Sequence, residues 1–197
     1  MVVPNVRFTI TVPTIGRATL RRTLESILAN GVSRYDQILV ISDGHYERAK
    51  EIISGFAGKM PLEFIEREHR GTPGHHQRNY AKALSRGTHL VFMDDDDCYT
   101  DEALHRMRGE VSENPDCITI FRMRGMPSRH NYGVLWKDRE IRVGNIGTPM
   151  FAVPNIPEKL GHWSERYCGD FDFIFGTAAK FGADRVRWSE TIIADIY

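Results

Sequence analysis

Apolar and polar residues alternate in FTITV, Phe8 to Val12, which reads as a strand. From Thr19 to Asn30 the period changes. Leu20, Leu24, Ile27 and Leu28 fall on one helical face, and Gly31 suits the position just past the helix end. ILVI, Ile38 to Ile41, is a continuous apolar run, as expected of a strand buried on both faces. The spacing predicts a helix over Tyr46 to Phe56, a strand over Leu62 to Glu66, and a helix from His75 to Ser85 closed by Gly87. HLVFM, His89 to Met93, is a further buried strand. Thr100 is placed to cap a helix reaching about Ser112, with Asp101 and Glu102 in its first turn.

Strand and helix therefore alternate through the first half, which predicts an α/β fold with a mostly parallel sheet flanked by helices. The second half predicts a small mixed region. CITIFRM, VLWK, EIRVGN and PMFAV are strand candidates, Asp170 to Phe181 a helix ended by Gly182, and RVRWSETIIADIY extended chain. No internal repeat, low-complexity tract or linker divides the sequence. Its 197 residues are expected to form one domain, with a ligand-binding first half (1–100) and a second half (101–197) for the reaction partner.

Composition narrows the classes. Lys plus Arg is 26 and Asp plus Glu is 26, a balance that argues against gripping long nucleic acid by bulk charge. Cys98, Cys117 and Cys168 are few, odd in number and far apart, which fits free thiols in a reducing compartment. The N-terminal sequence has no signal-peptide pattern, and no apolar run reaches transmembrane length. The expectation is a cytoplasmic protein that meets a membrane, where it does so, only at the surface.

Candidate chemistry lies at the strand ends, where open α/β sheets bind ligands. FTITV runs into Pro13-Thr14-Ile15-Gly16-Arg17, ILVI into Ser42-Asp43-Gly44, and HLVFM into four consecutive aspartates, Asp94 to Asp97. In a strand-end turn Asp94 and Asp96 point one way, Asp95 and Asp97 another. Such a cluster suits a hard divalent cation, Mg²⁺ or Mn²⁺, which neutralises a diphosphate. Arg67, Arg70 and Arg78 flank a Gly/Pro loop that opens a helix, an arrangement that favours anions. Cation site and basic loop together suggest a nucleoside diphosphate.

Four segments, in order, resemble a family 2 glycosyltransferase with the GT-A fold: VPTIGRATLRRTLESI, ILVISDG, GHHQRNYAKALSRGTHLVFMDDDD and YCGDFDFIFGTAAKFG. The third carries the family's Arg-Asn helix followed by a DxD motif. The resemblance implies a nucleoside-diphosphate-sugar donor, UDP-sugar favoured, held by Pro13, Thr14, Arg17, Asp43, Arg78, Asp94 and Asp95. Within that set Thr14 and Asp43 would meet the base, Arg78 the nucleotide sugar, and Asp94 the ribose or donor sugar. Asp96, with Asp94, would bind Mn²⁺ or Mg²⁺. Asp170, with Asp172 as rival, would be the general base of an inverting transfer to an acceptor hydroxyl. The acceptor is open: glycan, lipid carrier, small molecule, protein or modified nucleic acid. The sequence departs from the pattern at Ile15-Gly16-Arg17, at Gly44-His45, and at Gly169-Asp170, where the family often has Glu-Asp. The QxxRW motif of processive synthases is missing, which favours single additions.

Other readings compete. Met93-Asp94-Asp95-Asp96 superficially fits a DxD-type phosphatase or phosphotransferase, although such a nucleophile normally sits on an early strand. Gly169 beside Asp170 also suits a nucleotide-sugar-binding module without activity. Asp43-Gly44 is a common turn pair, and Asp170 a fitting helix cap. His75-His76 suits a loop role beside a diphosphate better than zinc. Trp163, seven residues before Asp170, is a candidate acceptor platform or a core residue. Arg122, Arg124 and Arg129 form a basic stretch that either meets an acidic acceptor or faces solvent.

Overall fold

Strand β1, Phe8–Thr14, is buried along its whole length, so its threonines need partners inside the protein. The Thr9 hydroxyl donates to Gln37 Oε1 and accepts from the Gly87 N–H. The computed structural model describes residues 5–126 and 134–197. β1 lies between β2 (Gln37–Asp43) and β4 (His89–Phe92), parallel to both, and β2 pairs in parallel with β3 (Leu62–Arg67) at the sheet edge. Helices α1 (Leu20–Ala29), α2 (Glu47–Ser54) and α3 (His75–Leu84) make the crossovers.

Beyond β4 the sheet becomes mixed. The short β5 (Cys98–Tyr99) and α4 (Ala103–Glu113) lead to β6 (Ile118–Gly125), followed by the two-residue β7 (Val134–Leu135), β8 (Phe151–Pro154), α5 (Gly169–Phe181) and β9 (Val186–Ile196). The spatial order is β3-β2-β1-β4-β8-β6-β9-β5, with β7 beside β6. β8 runs antiparallel to β4 and β6, so β6 points the same way as β4. β9 is parallel to β6. The carboxyl ends of β1, β2, β4, β6 and β9 therefore share one edge.

Two local expectations are corrected. EIRVGN forms turns instead of a strand, tied together by Asn145, whose side-chain amide donates to the Asp138 and Glu140 carbonyls. Thr100 does not cap α4 with its side chain; its hydroxyl donates to the Ile192 carbonyl of β9, and the helix begins at Ala103. At the end of α1, Gly31 takes a positive φ of 67°, the left-handed conformation expected past a helix terminus. An aromatic core of Phe92, Phe151, Trp163 and Phe173 lies under the shared edge, with Trp163 and Phe173 stacked at 4.9 Å.

Candidate active site

The four aspartates form the turn after β4, and their side chains alternate. Asp94 and Asp96 are partly exposed, at 35% and 26%, while Asp95 and Asp97 are buried. Each has a partner, which offsets the mutual repulsion of four adjacent carboxylates. Asp95 accepts from Thr14 Oγ1 at 2.6 Å and from Arg17 at 3.3 Å; Arg17 also donates to Asp96 at 2.9 Å. Arg22 and Thr23 of α1 donate to the Asp96 and Asp97 carbonyls. Asp97 Oδ1 accepts from the Tyr197 N–H, just past β9. Asp94 pairs with the buried Arg78. Burial raises the Asp95 carboxyl above its ordinary range.

Pro13, Thr14, Arg17, Asp43, Arg78, Asp94, Asp95 and Asp96 all line one cavity of about 600 Å³. The loop before α3 forms its far wall. Both oxygens of the Asp43 carboxylate accept from that loop, from the N–H groups of Arg70 at 2.7 Å and Gly71 at 2.9 Å. Asp43 is thus a loop anchor that also borders the cavity. Arg67 instead stacks on Tyr80. The departures at Gly16 and Gly44 have a steric origin. A Cβ at Gly16 would lie 2.6 Å from Tyr46, and one at Gly44 would lie 2.9 Å from it, so the Tyr46 ring fills the space beside both turns.

A second cavity, about 280 Å³, adjoins the first and shares Pro73, Arg78, Asp94 and Tyr167 with it. Asp170 lines this second cavity. It lies in the first turn of α5, where its carboxylate accepts from the Phe171 N–H at 2.7 Å. Burial pushes its pKa up to about 6 against the pull of Arg78. Asp172 differs. Ser164 and Arg166 bind its carboxylate, Arg166 holds it below the usual range, and it borders neither cavity. Of the two carboxylates, Asp170 borders a cavity and Asp172 does not.

Of the two readings of Trp163, its position matches the core residue. It is 1% exposed, stacked on Phe173, with the Arg78 guanidinium 4.7 Å above its ring. A buried ring offers an acceptor no surface; Trp163 supports Arg78 from below. His75 opens α3 and is buried with both ring nitrogens unpartnered, and desolvation lowers its pKa. His76 pairs with Glu165. No cluster of three or more metal-type ligands occurs among the described residues. Arg122 pairs with Glu190 and Arg124 with Asp195, so neither forms a free basic patch; Arg129 lies outside the described residues.

The glycine at 169 has a local reason. A Cβ there would sit 2.6 Å from His75 and 2.6 Å from the Ser164 carbonyl. Gly169→Ala is expected to cost about 1–3 kcal/mol of stability in urea denaturation, by overpacking.

Sequence reasoning missed Gln77 and His69 on the first cavity and Tyr167 on both. His69 approaches the Asp43 carbonyl through Nδ1 at 2.8 Å. Tyr167 lies inside the motif YCGDFDF, but its exposure could not be read there.

A curled α/β sheet with its strand-end turns gathered around adjoining cavities defines the GT-A class of glycosyltransferases. The model for glycosyl transferase family 2 matches residues 9–175, and the chain belongs to that family. No curated protein matches the chain. Among solved structures, residues 1–349 of S. aureus TarS superpose with a TM-score of 0.81 at 17% identity, over 96% of this chain and 60% of that one. The same fragment in complex with UDP-GlcNAc gives a TM-score of 0.77 at 15% identity, covering 96% and 58%. Mannosyltransferase PcManGT from Pyrobaculum calidifontis, in complex with GDP-Man and Mn²⁺, gives 0.71 at 16% identity, covering 98% and 57%. The chain thus spans about 60% of the TarS fragment's length. Family membership sets aside the phosphatase alternative. No helix among the described residues is long and apolar enough to cross a membrane.

Proposed function

We propose that this glycosyltransferase moves a sugar from a nucleoside-diphosphate sugar, UDP-sugar favoured, to an acceptor hydroxyl with inversion. The observation that carries the reading is the pair of adjoining cavities. One is lined by the strand-end turns and the loop before α3; the other holds Asp170. In the first, Arg17 and Arg78 face the diphosphate, and the start of α3 favours its charge. From the second, the Asp170 carboxylate takes the acceptor's hydroxyl proton. The acceptor oxygen forms a bond to the anomeric carbon. The bond from that carbon to the phosphate oxygen breaks, and its electron pair leaves with the nucleoside diphosphate. Residues 1–100 would supply most of the donor side and 101–197 most of the acceptor side, within one domain.

Asp94 and Asp96 would hold Mn²⁺ or Mg²⁺. Both are oxygen donors on one cavity wall and partly exposed, which fits a hard cation. When bound, the ion supplies positive charge against the diphosphate. The structures of relatives with UDP-GlcNAc and with GDP-Man and Mn²⁺ support the donor class and the metal.

A thermal-shift panel of UDP, GDP and their sugars, with and without Mn²⁺, tests this. Saturating ligand at a hundredfold excess over Kd adds about 2.7 kcal/mol to the folded state. A Mn²⁺-dependent shift with UDP is expected. Asp96→Ala is expected to remove the metal dependence of that shift. Metal-limited turnover unchanged in this variant would sink the metal assignment. A wild-type protein that binds the donor yet neither hydrolyses nor transfers it would be the inactive module instead.

A further inference from the structure

The adjacent histidines at the start of α3 have different surroundings. His76 pairs with Glu165 at the surface. His75 is 5% exposed, and neither of its ring nitrogens has a hydrogen-bond partner among the described residues. Burying an unpaired polar group lowers stability. A phenyl ring would fill the same space without that cost, packed on Trp163, whose ring lies 6.3 Å away at an interplanar angle of 24°. A buried imidazole with both nitrogens unpaired therefore points to a ligand.

The position of His75 narrows what that ligand is. His75 lines the second cavity together with Asp170. Arg78, one helical turn on, lines both cavities, as does Asp94, and the charges of both act on the ring. His75 and Arg78 also lie against the same Trp163. The ring thus stands where the donor cavity opens toward the base. Burial and Arg78 favour the neutral imidazole, in which one nitrogen donates and the other accepts. A hydroxyl has the same two capacities, whereas an ionised phosphate only accepts. No cluster of metal-type ligands includes His75 among the described residues.

The space beside residue 169 belongs to this ring. A Cβ there would lie 2.6 Å from His75 Cε1 and 2.7 Å from Nδ1. Where the family pattern often has Glu before Asp, this chain has glycine, with an imidazole from α3 against it.

From these observations we infer that His75 is a donor-binding residue, whose imidazole hydrogen-bonds a hydroxyl of the sugar being transferred, beside Asp170. A small shift of the Gly169 turn, which carries no side chain, opens a ring nitrogen to the cavity. His75 then distinguishes donor sugars by the position of a hydroxyl. This inference rests on the reading of the first cavity as the donor site.

Calorimetry on the whole protein with Mn²⁺ tests it, comparing UDP with UDP-glucose, UDP-galactose and UDP-GlcNAc. His75→Phe removes the nitrogens and keeps the packing. It should weaken the UDP-sugar that wild type binds best by about tenfold, and UDP by less than about twofold. His75→Gln keeps a donor and an acceptor and should recover part of the loss. The melting temperature of His75→Phe should equal or exceed that of wild type, which separates lost affinity from lost folding. Unchanged UDP-sugar affinity in His75→Phe overturns the inference. An equal loss for UDP overturns it too, because the ring would then act on the nucleotide or the fold, and so does a loss confined to the acceptor KM. A wild-type protein that binds none of these nucleotides overturns the donor reading, and the inference with it. A loss that needs the sugar supports the inference even if Asp170 is not the base.

Discussion

Asp170→Asn should lower sugar transfer by roughly a factor of 10²–10⁴, the usual contribution of a positioned general base. Donor binding should persist, since Asp170 lines the second cavity and not the first. The wild-type pH profile supplies an independent readout. A base must be ionised, and burial places this carboxyl at about 6, so kcat/KM should rise with pH and level off above that value. The rising limb should vanish from the residual activity of the Asn variant. Stability should move the other way. The folded carboxyl holds its proton to a higher pH than the unfolded one, whose ordinary value is 3.8, so folding stability falls as pH rises from about 4 to about 6. Allowing for partial exposure, the loss is on the order of 1–2 kcal/mol. Asp170→Asn is therefore expected to be as stable as wild type at pH 7, or more so, while retaining only residual activity. A melting series across that pH range checks it.

Arg78→Ala should damage both folding and donor binding. The Arg78 side chain is 3% exposed, donates to the Pro73 carbonyl at 2.8 Å, pairs with Asp94 and lies over Trp163. Removing one partner of a buried pair costs about 3–5 kcal/mol. Asp94 reaches solvent, which reduces the expected loss to about 2–3 kcal/mol. Loss of a charge-assisted contact to the diphosphate should weaken nucleotide binding by about 100-fold or more in calorimetry. Arg78→Lys keeps the charge but not the fork or the flat face against the indole, and should recover only part of either loss. Wild-type affinity for the nucleotide in Arg78→Ala would remove Arg78 from the donor site.

The first half of the fold was legible because its signals are local. Short apolar runs, helical periodicity over Leu20 to Ile27 and punctuating glycines set β1 to α3 to within a residue or two. The aspartate alternation followed from strand geometry alone. The second half was less legible because its order depends on distant pairing. β8 enters between β4 and β6, and β9 returns beside β6, and no local pattern says so. Thr100 shows the same limit: it has the composition of a cap, but β9 offers its hydroxyl a carbonyl from 92 residues away. At the site, the motif residues Thr14, Asp43, Arg78 and Asp94 were named by type and position and all border the first cavity, while Tyr167 required knowledge of exposure. Trp163 and Asp172 were named by proximity to Asp170 in sequence, but the fold turns one into the core and ties the other to Arg166.

The bonds that assemble the aspartate turn have a kinetic consequence. Thr14 meets Asp95 across 81 residues, and Asp97 meets Tyr197 across 100. Such contacts close large loops, and chains dominated by them fold slowly. β5, next to the turn, pairs with Ala194 and Asp195 of β9. A ribosome would therefore have to release the chain through Tyr197 before the aspartate turn could set. Ligand capture during refolding should appear as a late phase, after the β1–β4 sheet has formed.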